Sequence, residues 1–239
     1  NSFGLKEIIV NEKFCNPEKL KVIGNGSSNG INTKFFSPDF FSEDQKRDLK
    51  INLGISSKDF VFVFVGRLVG DKGINELVAA FRDFDVLLQV KLLLVGSQEA
   101  DLDPLLPETC HQINTNPNII AVGHQNDVRP YFAVSDALVF PSYREGFPNV
   151  VMQAGAMGIP AIVSDINGCN EIINSEKNGL IIPVKNKLAI FNAMNKLMID
   201  SHLFSQMKQN ARKMIVSRYE QEIIWKAILA EYEKLEQYV

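Results

Sequence analysis

Two short stretches hold most of the side chains that could do chemistry. The first is Gly66-Arg67-Leu68-Val69-Gly70-Asp71-Lys72-Gly73. It follows the apolar run Phe60–Val65 and precedes a helix-like stretch. Three glycines in a strand-to-helix turn leave backbone N–H groups free to meet an anion. Arg67 can grip phosphate oxygens with two donors, and Lys72 adds a mobile point charge. The spacing is not that of a P-loop, because G-x-x-x-x-G-K-S/T is missing. From spacing alone, two solvated loop cations remain an equal alternative.

The second stretch is Pro141-Ser142-Tyr143-Arg144-Glu145-Gly146-Phe147-Pro148-Asn149, after the apolar run Ala137–Phe140. Pro148 suits the first turn of a helix, where a missing N–H costs nothing. Glu145 lies on the loop, and Gln153 falls in the second helical turn. Gly146 permits close backbone approach, so the amides from Phe147 to Val150 could meet a diphosphate. A third turn, Gly123-His124-Gln125, follows Ile119–Val122 and could line the edge of a base. A solvated glutamate and a surface histidine are the plain alternatives for Glu145 and His124.

Apolar runs alternate with amphipathic stretches, and this alternation must position those loops. The candidate strands are Leu20–Ile23, Phe60–Val65, Lys91–Val95, Ile119–Val122, Ala137–Phe140, Ala161–Ser164 and Leu180–Ile182. They are short and continuous rather than alternating, as strands read when helices cover both sheet faces. Helix-like stretches include Glu43–Leu53, Asn75–Phe84 and Asn149–Met157. Ser42 with Gln45 predicts a capping box for the first. The order argues for an α/β fold with a parallel, doubly wound, Rossmann-like sheet and C-terminal helices. Ligands of such sheets sit beyond the carboxyl ends of the strands, which is where the three turns fall. From Lys187 to Val239 the pattern is helical almost throughout. Ile224, Ile228, Tyr232 and Leu235 make one apolar stripe, which either covers this domain or reaches toward a neighbour.

Composition excludes several classes. The chain has 239 residues, 46% of them hydrophobic, enough for one substantial core. Its net charge is −3, without the basic excess of a nucleic-acid binder. Cys15, Cys110 and Cys169 form no C-x-x-C pair or disulfide framework, and the three histidines are too scattered for zinc. A reducing cytoplasm is the expected location. No apolar run approaches the ~20 residues of a membrane helix. The opening Asn1-Ser2-Phe3 carries neither an initiator Met nor a signal-peptide pattern, so a cut fragment is expected.

The ordered blocks from Asn25 to Tyr232 resemble the carboxyl-terminal domain of retaining GT-B glycosyltransferases, specifically family four. They run through Asn25-Gly26-Ser27-Ser28-Asn29-Gly30, Val65-Gly66-Arg67-Leu68, Leu94-Val95-Gly96 and Pro141 to Val151. They continue at Gly158-Ile159-Pro160 and Gly168-Cys169-Asn170-Glu171. The resemblance implies one half of a GT-B fold over residues 1–239, a nucleotide-sugar-binding domain whose amino-terminal acceptor domain is absent. It implies that Arg67 and Lys72 neutralise the donor diphosphate and that Glu145 contacts the transferred sugar. Gly66, Gly123, His124, Ser142 and the Gly146-Phe147-Pro148-Asn149-Val150 backbone would complete donor binding. A second glutamate of the family motif falls on Gln153, a departure. Glutamine keeps one acceptor for the ribose hydroxyls and loses the charge.

The implied activity is transfer of a hexosyl or N-acetylhexosaminyl group, with retention, in surface polysaccharide or lipopolysaccharide synthesis. The donor would be a nucleotide sugar, UDP-linked first and GDP-linked second. The acceptor would be a saccharide or a lipid-linked saccharide at the inner face of the membrane, with peripheral membrane association through the absent domain. No metal or other cofactor is expected, and the fragment alone would bind donor without transferring it. Three alternatives stand beside this. Asp83-Phe84-Asp85 and Asp101-Leu102-Asp103 match a metal-holding Asp-x-Asp as text. A related epimerase or phosphorylase would share the crevice. Gln153 could mark a degenerate module that only binds a nucleotide or a partner.

Overall fold

The computed structural model describes residues 2–85, 87–99, 101 and 103–236. Six strands form one all-parallel sheet: β1 (Phe60–Val65), β2 (Val90–Val95), β3 (Ile119–Ala121), β4 (Ala137–Phe140), β5 (Ala161–Ser164) and β6 (Gly179–Ile182). Their order is β3-β2-β1-β4-β5-β6. The winding direction reverses between β1 and β4, which opens a crevice at their carboxyl ends. Val61–Phe64, Leu92–Leu94 and Leu138 are fully buried, because helices cover both sheet faces.

Before β1 come α1 (Phe3–Asn11) and α2 (Glu43–Asn52). Ser42 and Gln45 form the expected capping box on α2. Along the sheet follow α3 (Ile74–Phe81), α4 (Pro107–Thr115), α5 (Arg129–Ala133), α6 (Asn149–Ala156) and α7 (Cys169–Ile172). Three helices close the chain: α8 (Lys187–Ile199), α9 (Ser201–Tyr219) and α10 (Gln221–Glu236).

Leu20–Ile23 is not a strand. It leaves a single 3-10 turn at Pro17–Lys19 and runs beside α10, where Lys21 pairs with Glu231 and Gly24 abuts Ile224 and Ala227. Leu20, Val22 and Ile23 are half-buried beside that helix and pair with no strand. The helix predicted over Asn75–Phe84 begins one residue earlier and stops at Phe81. Pro148 stands at the N-cap of α6, one position outside the first turn. The α10 stripe divides: Ile224 is buried, while Tyr232 and Leu235 are exposed. The first two-thirds of that helix, through Glu231, touches its own domain, and the exposed Tyr232 and Leu235 lie beyond it.

Candidate active site

The β1 and β4 loops are locked to each other before any ligand is considered. Gly70–Lys72 forms a 3-10 turn that ends at Gly73 with φ +71°. A Cβ at Gly73 would stand 2.2 Å from the Pro141 carbonyl oxygen, so only glycine lets the loops approach this closely. The Asp71 carbonyl accepts from Tyr143 N–H at 2.9 Å. Arg144 reaches the Asp71 carboxylate at 3.3 Å. The Ser142 hydroxyl lies 3.2 Å from the Arg144 carbonyl and 3.4 Å from that of Asp71, and the residue is fully buried. Ser142 therefore braces the turn from behind.

This bracing brings Lys72 and Glu145 into contact. The Lys72 ammonium lies 2.6 Å from Glu145 Oε1, each side chain 16% exposed. The same ammonium stands 6.0 Å above the Phe140 ring, where β4 ends. Behind the pair, burial raises the Cys169 thiol far above its usual range, with a further push from the Glu145 charge. That thiol stays protonated and inert.

The β5–α7 connection holds the Glu145 loop from the other side. Asn167 donates its side-chain amide to the carbonyls of Glu145 and Gly146. Gly168, at φ +77°, leaves room for Gly146, Phe147 and Pro148, each within 3 Å of where its Cβ would be. The Glu171 carboxylate accepts from Gly168 N–H and also from Ser2, Phe3 and Gly4. Burial alone would raise its pKa, but these four donors outweigh burial and hold it below the usual carboxylate value.

α6 begins directly after this loop, with no side chain capping its N-terminus. Gly146 and Asn149 are exposed, Val150 is half-buried and Pro148 is buried. The first-turn amides stand at the positive end of the helix dipole, in the chain a few residues after Glu145. Phe147 turns inward and meets Tyr219 edge-on at 5.5 Å. Gln153 is half-buried, and its amide makes no hydrogen bond among the described residues.

Arg67 stands beside this group. Its guanidinium is 49% exposed and 2.9 Å from Glu99. Glu99 first, and Asp71 and Glu145 more weakly, hold its proton tighter than usual. Arg67, Gly66, Gly96, Ser97, His124 and Gln125 line a cleft of about 250 Å³. The Gly123 carbonyl, next to His124, accepts from Gly96 N–H at 2.8 Å. The switch point thus has a slot at β2 and β3, cations in the middle and an acid with helix amides at β4.

Residues 45–214 match the family described as Glycosyl transferases group 1. The chain belongs to that family.

Among curated group 1 relatives, it is 31% identical to the capsular polysaccharide biosynthesis glycosyltransferase CapM of Staphylococcus aureus, over 97% of this chain and 60% of CapM. It is 29% identical, over 90% of this chain, to the Escherichia coli UDP-Gal:alpha-D-GlcNAc-diphosphoundecaprenol alpha-1,3-galactosyltransferase, spanning 54% of that enzyme. The chain thus spans little more than half the length of these relatives. The fold matches that of Anabaena Alr3699/HepE, solved in complex with UDP, with a TM-score of 0.87 at 21% identity over 98% of this chain and 62% of that one.

For a group 1 glycosyltransferase domain, sequence reasoning missed Asn167 and Glu99. Asn167 carries a weak signal, an Asn before Gly at a strand end; Glu99 carries none, since its partner is 32 residues away. Among the described residues, no group of three or more metal-ligating side chains converges. Asp83 pairs with Lys187, and Asp85 closes a turn through Leu87 N–H. Of the other Asp-x-Asp triplet, Leu102 lies outside the described residues, while Asp103 accepts from Asp71 N–H.

Proposed function

We propose that this chain is the donor-binding half of a retaining group 1 glycosyltransferase that takes its sugar from a UDP-linked donor. The full protein transfers a hexosyl or N-acetylhexosaminyl group to a saccharide or lipid-linked acceptor in surface polysaccharide or lipopolysaccharide synthesis. The observation that carries this is the Lys72–Glu145 contact at the switch point, beside uncapped α6 amides. The names of the S. aureus and E. coli relatives support the setting and the diphospholipid-linked acceptor. The UDP held by the Anabaena neighbour supports the nucleotide. Three free cysteines fit the cytoplasmic side of the membrane.

The base enters the cleft beside His124, and Gln153 faces the ribose. The diphosphate lies across Arg67, Lys72 and the α6 amides, and the sugar meets Glu145. In the chain alone, Lys72 is neutralised by Glu145. A bound diphosphate takes over Lys72 and releases Glu145 to accept from a sugar hydroxyl. As the bond from the anomeric carbon to phosphate oxygen breaks, its electron pair moves onto the diphosphate. Fixed cations and amides stabilise that charge without reorganising. The acceptor oxygen bonds on the same face, and its proton passes to the departing phosphate oxygen. No metal and no protein nucleophile enter this scheme.

Calorimetric titration with UDP, GDP and their hexose and N-acetylhexosamine conjugates tests the reading. Binding of a UDP-sugar that Lys72→Met weakens supports it. No heat with any of them would mark a degenerate module.

A further inference from the structure

The amino end of α1 rests on the β5–α7 connection, the segment that holds the Glu145 loop. None of the nine residues of α1 is buried, while its N-cap, Ser2, is 1% exposed. Phe3 and Ile8 stay 49% and 47% exposed. A helix that served only to cover the sheet would bury an apolar stripe. α1 instead meets the domain through the polar groups of its first turn.

There the Glu171 carboxylate accepts from the Ser2 hydroxyl, from Phe3 N–H at 2.8 Å and from Gly4 N–H at 3.3 Å. Ser2 Oγ in turn accepts the Leu5 N–H at 3.0 Å, which closes the first turn. Gly4 lies flush on Asn167: a Cβ on Gly4 would stand 2.9 Å from Asn167 Cβ and 3.5 Å from its Cα. Asn167 directs its amide to the carbonyls of Glu145 and Gly146. The same Glu171 fixes the next residue of that turn, accepting from Gly168 N–H at 3.1 Å. Its own carbonyl is held from behind by Arg218 and by the Tyr219 hydroxyl, the latter at 3.1 Å. One carboxylate thus ties the start of α1 to the Asn167–Gly168 turn, and that turn ties down the main chain of Glu145.

We propose that Asn167 is a positioning residue for the Glu145 main chain, and that Glu171 keeps it in place by seating the start of α1 against it. The consequence for sugar recognition rests on the assignment of Glu145 to the donor sugar made above. Lifting Ser2–Gly4 removes the wall beside Asn167 and three of the four groups that donate to the Glu171 carboxylate. Asn167 then gains rotamers that miss the Glu145 carbonyl, and the loop loses a brace. Among the described residues, Asn167 makes no hydrogen bond to the loops that carry Arg67, Lys72 and His124. The seat of α1 therefore governs how the sugar is met and leaves the nucleotide contacts in place. By linkage, a bound sugar tightens that seat by the same factor.

Limited trypsin digestion of the whole chain tests the brace without any ligand. Arg144, its side chain 84% exposed, marks the loop, and Lys91, inside β2, marks global opening. Asn167→Ala, Glu171→Gln and Gly4→Ala should each speed the cut after Arg144 about fivefold, the usual worth of one hydrogen bond, because cleavage follows the open population. The cut after Lys91 should stay within about twofold of the parent, since the fold as a whole is retained. Gly4→Ala separates the brace from simple docking. Alanine favours a helix, so an α1 that merely docks would sit tighter and protect the loop; the clash with Asn167 predicts the reverse. Calorimetry then compares UDP with UDP-glucose and UDP-N-acetylglucosamine. The variants should bind UDP within about twofold of the parent and the better-bound sugar conjugate about fivefold more weakly. An Arg144 cut unchanged in all three variants, slowed in Gly4→Ala, or raised only in step with the Lys91 cut would overturn the proposal. So would an equal loss of UDP and conjugate. A parent that binds no UDP compound would sink the donor assignment instead, while the digestion still decides the brace.

Discussion

Replacing Lys72 with methionine keeps the aliphatic stem and removes the charge, so it isolates the contact with Glu145. At 2.6 Å and an effective dielectric of ~20, the bare attraction is about 6 kcal/mol. Desolvation of two largely buried groups offsets most of it. The net loss is that of one charged hydrogen bond, about 2 kcal/mol, because Glu145 is left unpaired in a site with 16% exposure. For a chain of this size that lowers the melting midpoint by about 4–8 °C. Glu145→Gln alone should cost less, since an amide still accepts from Lys72. The double variant should be more stable than the two single losses predict, with a coupling of about 1–2 kcal/mol. UDP affinity separates the roles. Lys72→Met should weaken UDP by about 10–150-fold, whereas Glu145→Gln should leave UDP binding equal or stronger, because it removes the group that competes for Lys72. The assay is a double-mutant cycle followed by thermal unfolding and by calorimetry with UDP. Additive stability losses, or a Lys72→Met protein that binds UDP within twofold of the parent, would refute the reasoning.

Glu99→Gln should free Arg67 from its exposed partner and strengthen UDP binding by about two- to fivefold; weaker binding in the same titration would show that Glu99 positions Arg67 rather than competing for it. Gly73→Ala forces a side chain into the left-handed region and against the Pro141 carbonyl, so it should lower the melting midpoint by at least about 4 °C, measured by circular dichroism. The Glu171 carboxyl has a lowered pKa in the fold, so its contribution is present above the unfolded carboxylate value near ~4.3 and is lost as pH falls through the folded value. Unfolding followed from pH 7 (as a reference) down to acid should therefore show a loss that Glu171→Gln flattens, with α1 detaching first in hydrogen exchange.

The sequence by itself determined the layered architecture and put the candidate loops at one edge of the sheet. Continuous runs such as Phe60–Val65 and Ala137–Phe140, short and bounded by turn residues, read as strands covered on both faces. Glycines and cations placed after such strands, at Gly66–Gly73 and Pro141–Asn149, marked the carboxyl edge for the same local reason. What the tertiary structure decided was who partners whom. The Leu20–Ile23 run is as apolar as a strand, yet it lies on α10, because apolarity specifies burial and not the surface that provides it. Arg67 with Glu99 and Asn167 with the Glu145 loop join residues more than twenty positions apart, and no periodicity encodes such a distance. Ser142 and Glu171 are polar residues whose partners are backbone groups of other segments. Their roles as braces exist only once the sheet order β3-β2-β1-β4-β5-β6 has brought those segments together.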